Sequence, residues 1–206
     1  LAGDGYLGKY GVEFVASDPE VMNRMTRAWA ESFGKGNCVV SDKVTPKGVA
    51  IQRLYCRSSE LRLFLKSIRG MEGGSKGKYL PDLILRGSKR TLTAYLAGLF
   101  DADGTASAGK VRLDSISKEQ LKRVQLVLKM LGIKSSVRKK HLNVTGSNAD
   151  LFIREVPLCE AKRSRTQSID RMQSDYTPNF LQQRLLADSE STSPRIKKRT
   201  LEAKRL

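Results

Sequence analysis

The sequence predicts an α+β fold of two pseudo-symmetric halves, each running αββαββα. Three observations predict it. Asp4-Gly5 falls on Asp103-Gly104 at a spacing of 99 residues, and the same spacing sets Val12 on Val111 and Phe14 on Leu113. Farther along, RLYCRSSELRLFL (53–65) resembles HLNVTGSNADLFI (141–153) at a spacing of 88. Strand-like alternation and helix-like periodicity then follow each other in the same order in both copies, which is how a duplicated structural unit reads.

Each element has a local reason. In the first copy VEFVAS alternates as a strand. SDPEVMNRMTRAWAESFG is a helix, with Ser17 or Asp18 as N-cap, Pro19 in its first turn and Gly34 closing it. Val21, Met22, Met25, Trp29 and Phe33 give that helix one apolar face. Strands follow near NCVVSDK and GVAIQRLYCR, then a short helix from Ser58 or Ser59 to Gly70. The second copy repeats the order with KVRLDS, SKEQLKRVQLVLKMLG, SSVRKK, LNVTG and SNADLFIREV. Helices on one face of each sheet leave the other face open. Alternation then points Val12, Phe14, Leu54, Cys56, Val111, Leu113, Leu142 and Val144 inward. Arg53, Tyr55, Arg57, Lys110, Arg112, Arg138, Lys140, His141 and Asn143 point outward. These residue types grip phosphates and read base edges, although a one-sided sheet with a merely solvated face would also be polar.

Composition narrows the partner. The 206 residues carry 38 Lys and Arg against 21 Asp and Glu, a formal net charge of +17. That excess favours a polyanion, nucleic acid before a membrane surface. No apolar run is long enough to span a bilayer and no secretory signal opens the chain, so an intracellular location is expected. Cys38, Cys56 and Cys159 are odd in number and widely spaced, which reads as three reduced thiols. A single histidine, His141, argues against His-rich metal sites and Ser-His-Asp chemistry, and leaves carboxylates, metal and lysine for any hydrolysis.

YLAGLFDADG (95–104) drives an apolar helix into two aspartates and a glycine. Carboxylates at the negative end of a helix dipole need compensation. Ala97 and Gly98, like Ala2 and Gly3 in LAGDG, are small enough for two such helices to pack closely. That packing would bring Asp4 and Asp103 together. A hard divalent cation, Mg²⁺ by preference, would relieve the repulsion and could assist phosphodiester hydrolysis. The other reading is a pair of helix ends closed by glycine.

YLAGLFDADG differs from the LAGLIDADG signature only at Phe100, and LAGDGYL resembles a more degenerate first copy of it. Over about residues 1–165 the chain resembles a monomeric, two-repeat LAGLIDADG homing endonuclease, and GKYLPDLILRGSKRTLTAYLAGLFDADG is similar to the lead-in of the intein-encoded group. The resemblance implies half-domains packed through the motif helices, with saddle-shaped antiparallel sheets on double-stranded DNA. It implies metal at Asp4 and Asp103, with Asp101 at the variable position capping the helix. It implies a lysine beside each centre: Lys78, before Leu80-Pro81, and Lys162, after Val156-Pro157. The activity implied is Mg²⁺-dependent cleavage of both strands of a long site, leaving short 3′ overhangs. Mn²⁺ would substitute, and Ca²⁺ would support binding without cutting. An intron RNA maturase or a non-cleaving DNA-binding regulator is the alternative.

The expected organisation is an N-terminal half at 1–90, a C-terminal half at 91–165 and a basic helical extension at 166–206. Leu1 lies three residues before Asp4, so only the end of a first motif helix is expected. With no Cys or Ser at the start and no His-Asn ending, splicing chemistry is not expected, and the chain reads as an endonuclease part or a free-standing enzyme.

Overall fold

The computed structural model describes residues 5–34, 36, 38–71 and 74–167. Asp4 with the rest of the first motif before Gly5, and residues 168–206 of the basic extension, lie outside them. The described chain holds two four-stranded antiparallel sheets. The first contains β1 (Gly5–Leu7), β2 (Val12–Ala16), β3 (Cys38–Val44) and β4 (Ala50–Cys56), in the order β1-β2-β4-β3. The second contains β5 (Gly104–Ser107), β6 (Lys110–Asp114), β7 (Ser136–Arg138) and β8 (His141–Thr145), in the order β5-β6-β8-β7. The duplication extends to register. Phe14 pairs with Leu54 in the first sheet, and Leu113 pairs with Leu142 in the second.

Caps set the helices. α1 (Pro19–Phe33) begins where the Asp18 carboxylate accepts the Glu20 N–H at 2.9 Å, with proline in the first turn. It ends at Gly34, whose φ of 77° is the left-handed value a glycine adopts without penalty. α2 (Ser59–Ser67) is capped by the Ser58 hydroxyl, which accepts the Leu61 N–H at 3.1 Å. It stops at Ser67 rather than at Gly70, because Ile68 is already extended. Two single-turn helices, α3 (Gly74–Gly77) and α4 (Asp82–Leu85), lead to the motif helix α5 (Lys89–Asp103). α6 (Lys118–Met130) and α7 (Ser147–Glu155) cover the second sheet. α8 (Glu160–Gln167), which the sequence pattern does not announce, follows.

β1 and β5 start at the motif glycines and complete the four strands expected in each half; at three and four residues they are too short to show alternation. Two expectations need correction. Gly104 does not close α5 by a left-handed turn, since its φ is −90°. It is glycine because a Cβ there would lie 2.6 Å from the Phe100 carbonyl oxygen. Cys38 and Cys56 are not separate thiols: they face each other across β3 and β4, Cα to Cα 4.2 Å, and form a disulfide. Cys159 is free and buried.

The two halves bury unequal cores. In the second, Leu96 and Phe100 of α5 pack on Leu121, Val124 and Leu128 of α6, on Val111 and Leu142 of the sheet, and on Phe152 of α7. The Phe100 and Phe152 rings are 4.7 Å apart. Among the described residues the first half's own cluster is small: Ala16, Met22, Leu54 and Cys56, flanked by Phe14, Val21 and Trp29, with Val12 also buried. Phe64 occupies the position of Phe152 in the repeat and is 55% exposed, whereas Phe152 is fully buried. Phe152→Ala is therefore expected to cost about 3–5 kcal/mol of folding free energy. Phe64→Ala should cost about 1 kcal/mol or less, as substitutions on the surface do. Urea unfolding of the two variants measures the difference.

Candidate functional site

The motif helix delivers its last residue to the surface. Leu92, Leu96, Ala97, Leu99 and Phe100 anchor α5 in the core, and Asp103 ends the helix exposed, one residue before β5. The two aspartates of the motif part company here. The Asp101 side chain is only 5% exposed. One of its oxygens accepts the Cys159 N–H at 3.0 Å, and the other pairs with Arg24 of α1 at 3.2 Å. Asp101 thus does not cap α5, whose free groups at that end are carbonyls, and a carboxylate has no proton to give them. It serves the start of α8 instead.

The dipole of α5 is answered by Lys162. Its ammonium donates to the carbonyl oxygens of Phe100 at 2.6 Å, Asp101 at 2.7 Å and Gly104 at 2.6 Å. Three N–H groups meet three carbonyls at the negative pole, where a cation is favoured. Burial pulls the Lys162 ammonium below the ordinary lysine value, and the Asp101 carboxylate opposes that shift. Lys78 does a parallel thing in the first half: it donates to the Gly5 carbonyl at 3.2 Å. Gly5 and Gly104 are equivalent in the repeat, so each candidate lysine touches the backbone immediately after its own motif aspartate. The described residues give no Asp4 position, so a distance between Asp4 and Asp103 lies outside them. The expected partners of Gly98 in a close helix contact, Ala2 and Gly3, lie outside the described residues as well.

The sheets present the outward set as alternation requires. On the first, Arg53 and Tyr55 lie on the face opposite the buried Leu54 and Cys56, and Arg57 is exposed just beyond β4. The Arg53 guanidinium sits 4.9 Å over the Tyr55 ring and 2.5 Å from the Glu13 carboxylate. Tyr6, 64% exposed, pairs with Glu13 on the same face. On the second sheet Lys110, Arg112, Asp114, Arg138, His141 and Asn143 share the outward face, and Lys140 stands in the β7–β8 turn. Arg112 Nε donates to Asp114 at 2.6 Å. His141 Nδ1 lies 2.6 Å from Arg112 and 2.5 Å from Asp114. The two contacts need opposite proton states: a bare Nδ1 accepts from Arg112, a protonated one donates to Asp114. Partial burial acts to raise the Asp114 carboxyl, but hydrogen bonds from Arg112 and His141 outweigh it and hold it below the ordinary carboxylate range. Asn143 Oδ1 and Arg53 Nε are shielded from solvent without a hydrogen-bond partner in the free protein.

Residue pattern alone missed Arg24, Glu20 and Arg123. Their signal was the repeat itself, since the spacing of 99 that joins the aspartates also sets Arg24 on Arg123 and Glu20 on Glu119.

Comparison with known proteins fits this geometry. Residues 90–165 match the sequence model of the LAGLIDADG-like domain. The chain is 33% identical over 88 residues to a subunit of the A-type ATP synthase of Methanopyrus kandleri, covering 41% of this chain and 9% of the relative. It is 34% identical over 90 residues to the ribonucleoside-diphosphate reductase NrdEB subunit alpha of Bacillus subtilis, covering 41% of this chain and 8% of the relative. The chain thus spans less than a tenth of these curated relatives. Among solved structures it is similar to the homing endonuclease I-WcaI bound to its DNA recognition sequence, with a TM-score of 0.56, 16% identity and 80% of each chain covered. It is also similar to I-DmoI in complex with DNA and Ca, with a TM-score of 0.54, 15% identity, and 78% and 87% of the two chains covered. No helix among the described residues is long and apolar enough to cross a membrane.

Proposed function

On the premise that this chain carries a LAGLIDADG-like domain at residues 90–165 and has the two-sheet fold of the LAGLIDADG homing endonucleases, we propose that it is a site-specific DNA endonuclease. The observation that carries the reading is Asp103: an exposed carboxylate fixed at the end of a buried helix, in a protein with two open cationic sheet faces. The two sheets would lie in the major groove, where Arg112, Arg138 and Asn143 read base edges, and Lys110, Lys140, Arg53 and Arg57 hold phosphates. Asp4 and Asp103 would each serve one scissile phosphate, and both strands would be cut to short 3′ overhangs.

The donor set suits a hard divalent ion. No group of three His, Cys, Asp or Glu that could hold a metal exists among the described residues. An ion beside Asp103 would therefore be bound by one or two carboxylates, waters and phosphate oxygens, which is the habit of Mg²⁺. When bound it lowers the pKa of water and neutralises charge at the phosphate. The related I-DmoI structures with Ca, Mn and Mg support this choice. Asp103 would hold the ion, and the backbone that carries Asp103 is steadied by Lys162. The short match to two unrelated, much longer enzymes is what an endonuclease segment lodged in host proteins produces, and it supports an intein or intron origin.

Cleavage selection from a randomised plasmid library tests the reading. With Mg²⁺ or Mn²⁺ the selected site should be nicked and then linearised, and with Ca²⁺ it should be bound uncut. Tight binding of a structured intron RNA with no cut DNA in any metal would replace the nuclease with a maturase.

A further inference from the structure

Arg24 and Arg123 sit at equivalent places on α1 and α6, at the repeat spacing of 99 residues. Each reaches the chain segment that closes the opposite repeat. Arg24 donates to the Pro157 carbonyl at 2.7 Å while pairing with Asp101. One turn earlier on α1, Glu20 accepts the Glu160 N–H at 2.8 Å. Arg123 donates to the Leu80 carbonyl at 3.1 Å, pairs with the Asp82 carboxylate, and stacks 4.4 Å over the Tyr79 ring. Leu80-Pro81 and Val156-Pro157 are the matching dipeptides of the two repeats.

The segments so gripped are those that bear the lysines. Lys78 lies two residues before Leu80 and bonds Gly5; Lys162 lies five residues after Pro157 and bonds Phe100, Asp101 and Gly104. We propose that Arg24 and Arg123 are paired positioning residues, forming a crossed clasp in which each repeat fixes the lysine-bearing segment, and through it the motif aspartate, of the other. Arg24 in the first repeat sets Asp103 in the second. Arg123 in the second sets the first motif through Lys78 and Gly5. Neither arginine touches the reacting phosphate. Arg24 is half-exposed, but the carboxylate it pairs with is almost wholly buried, so the contact is shielded on one side.

The consequence rests on the nuclease reading above, and it is strand-selective. Arg24→Met should slow cleavage of one strand of an end-labelled target about tenfold and leave the other within twofold. Arg123→Met should do the reverse. Asp101→Asn should reproduce Arg24→Met, and the double variant should be no slower than either single one, as residues of one unit behave. Binding in Ca²⁺ should stay within twofold for all. Equal slowing of both strands in each variant, at matched folded protein, would reduce the arginines to general stabilisers and overturn the proposal. A second readout needs no DNA. In the free protein, Arg24→Met should speed amide exchange at Cys159 and Glu160 at least tenfold, with the amides of β2 and β4 unchanged. If those two amides keep their protection, the clasp is wrong whether or not the protein cuts DNA. If they lose it and the wild type cuts nothing, the clasp stands and the nuclease reading falls.

Discussion

Asp103→Asn is expected to lower DNA cleavage by about 10³-fold or more, the loss of several kcal/mol of metal-borne stabilisation of the transition state. Target binding in Ca²⁺ should change by no more than about twofold, because the phosphate and base contacts that set affinity lie on the sheets. The location of the residue makes the separation clean. Asp103 is exposed at the last position of α5, and the buried residues that anchor the helix are Leu92, Leu96, Ala97, Leu99 and Phe100. Asparagine keeps the shape and loses the charge, and the buried anchors of the helix are unchanged, so the variant should still fold. The matching change at Asp101 makes the control. Asp101 holds Arg24 and the Cys159 amide, and its loss should act through geometry and stability rather than through a missing metal ligand. Cleavage rates at saturating Mg²⁺ and at rising Mn²⁺ decide it. If Asp103→Asn cuts at near the wild-type rate, the motif is structural and the centre lies elsewhere.

The duplicated architecture was legible because hydrophobic alternation and spacing survive divergence. The spacings that joined Phe14 to Leu113 and Leu54 to Leu142 are those of residues paired in the sheets. Sheet faces were equally legible, since a period of two leaves no freedom once one face is buried. Strands of three residues were not legible: β1 has too few positions to alternate. The disulfide was hidden because spacing along the chain does not reveal which residues face each other across β3 and β4. At the site, the family resemblance pointed to the motif and named both lysines as candidates, but it could not assign their partners. Asp101 and Asp103 are chemically identical and two residues apart, and only the fold turns one into the shielded α8 segment and the other outward. Lys162 shows the same limit, since any lysine could serve phosphate, water or carbonyl.

Its geometry now gives Lys162 a sharper prediction. Lys162→Met should destabilise the free protein, without DNA or metal, by about 2–4 kcal/mol, since hydrogen bonds to a charged group contribute roughly 1.5–3 kcal/mol each and partial solvent exposure discounts three of them. In thermal unfolding that is a fall of about 5–15 °C for a chain of this size. The sign is the test. A lysine kept solely to polarise water would be a half-buried cation that folding tolerates at a cost, and burial does pull its ammonium below the ordinary lysine value. Replacing such a residue by an apolar one of similar length would raise stability. A lysine that closes α5 instead leaves the carbonyls of Phe100, Asp101 and Gly104 without their cation when it is removed, and the negative pole beside Asp103 unbalanced. Cleavage should then fall together with stability, and most steeply on the strand that Asp103 serves. A Met variant that is as stable as the wild type or more so, yet inactive, would return Lys162 to the water and take it from the helix.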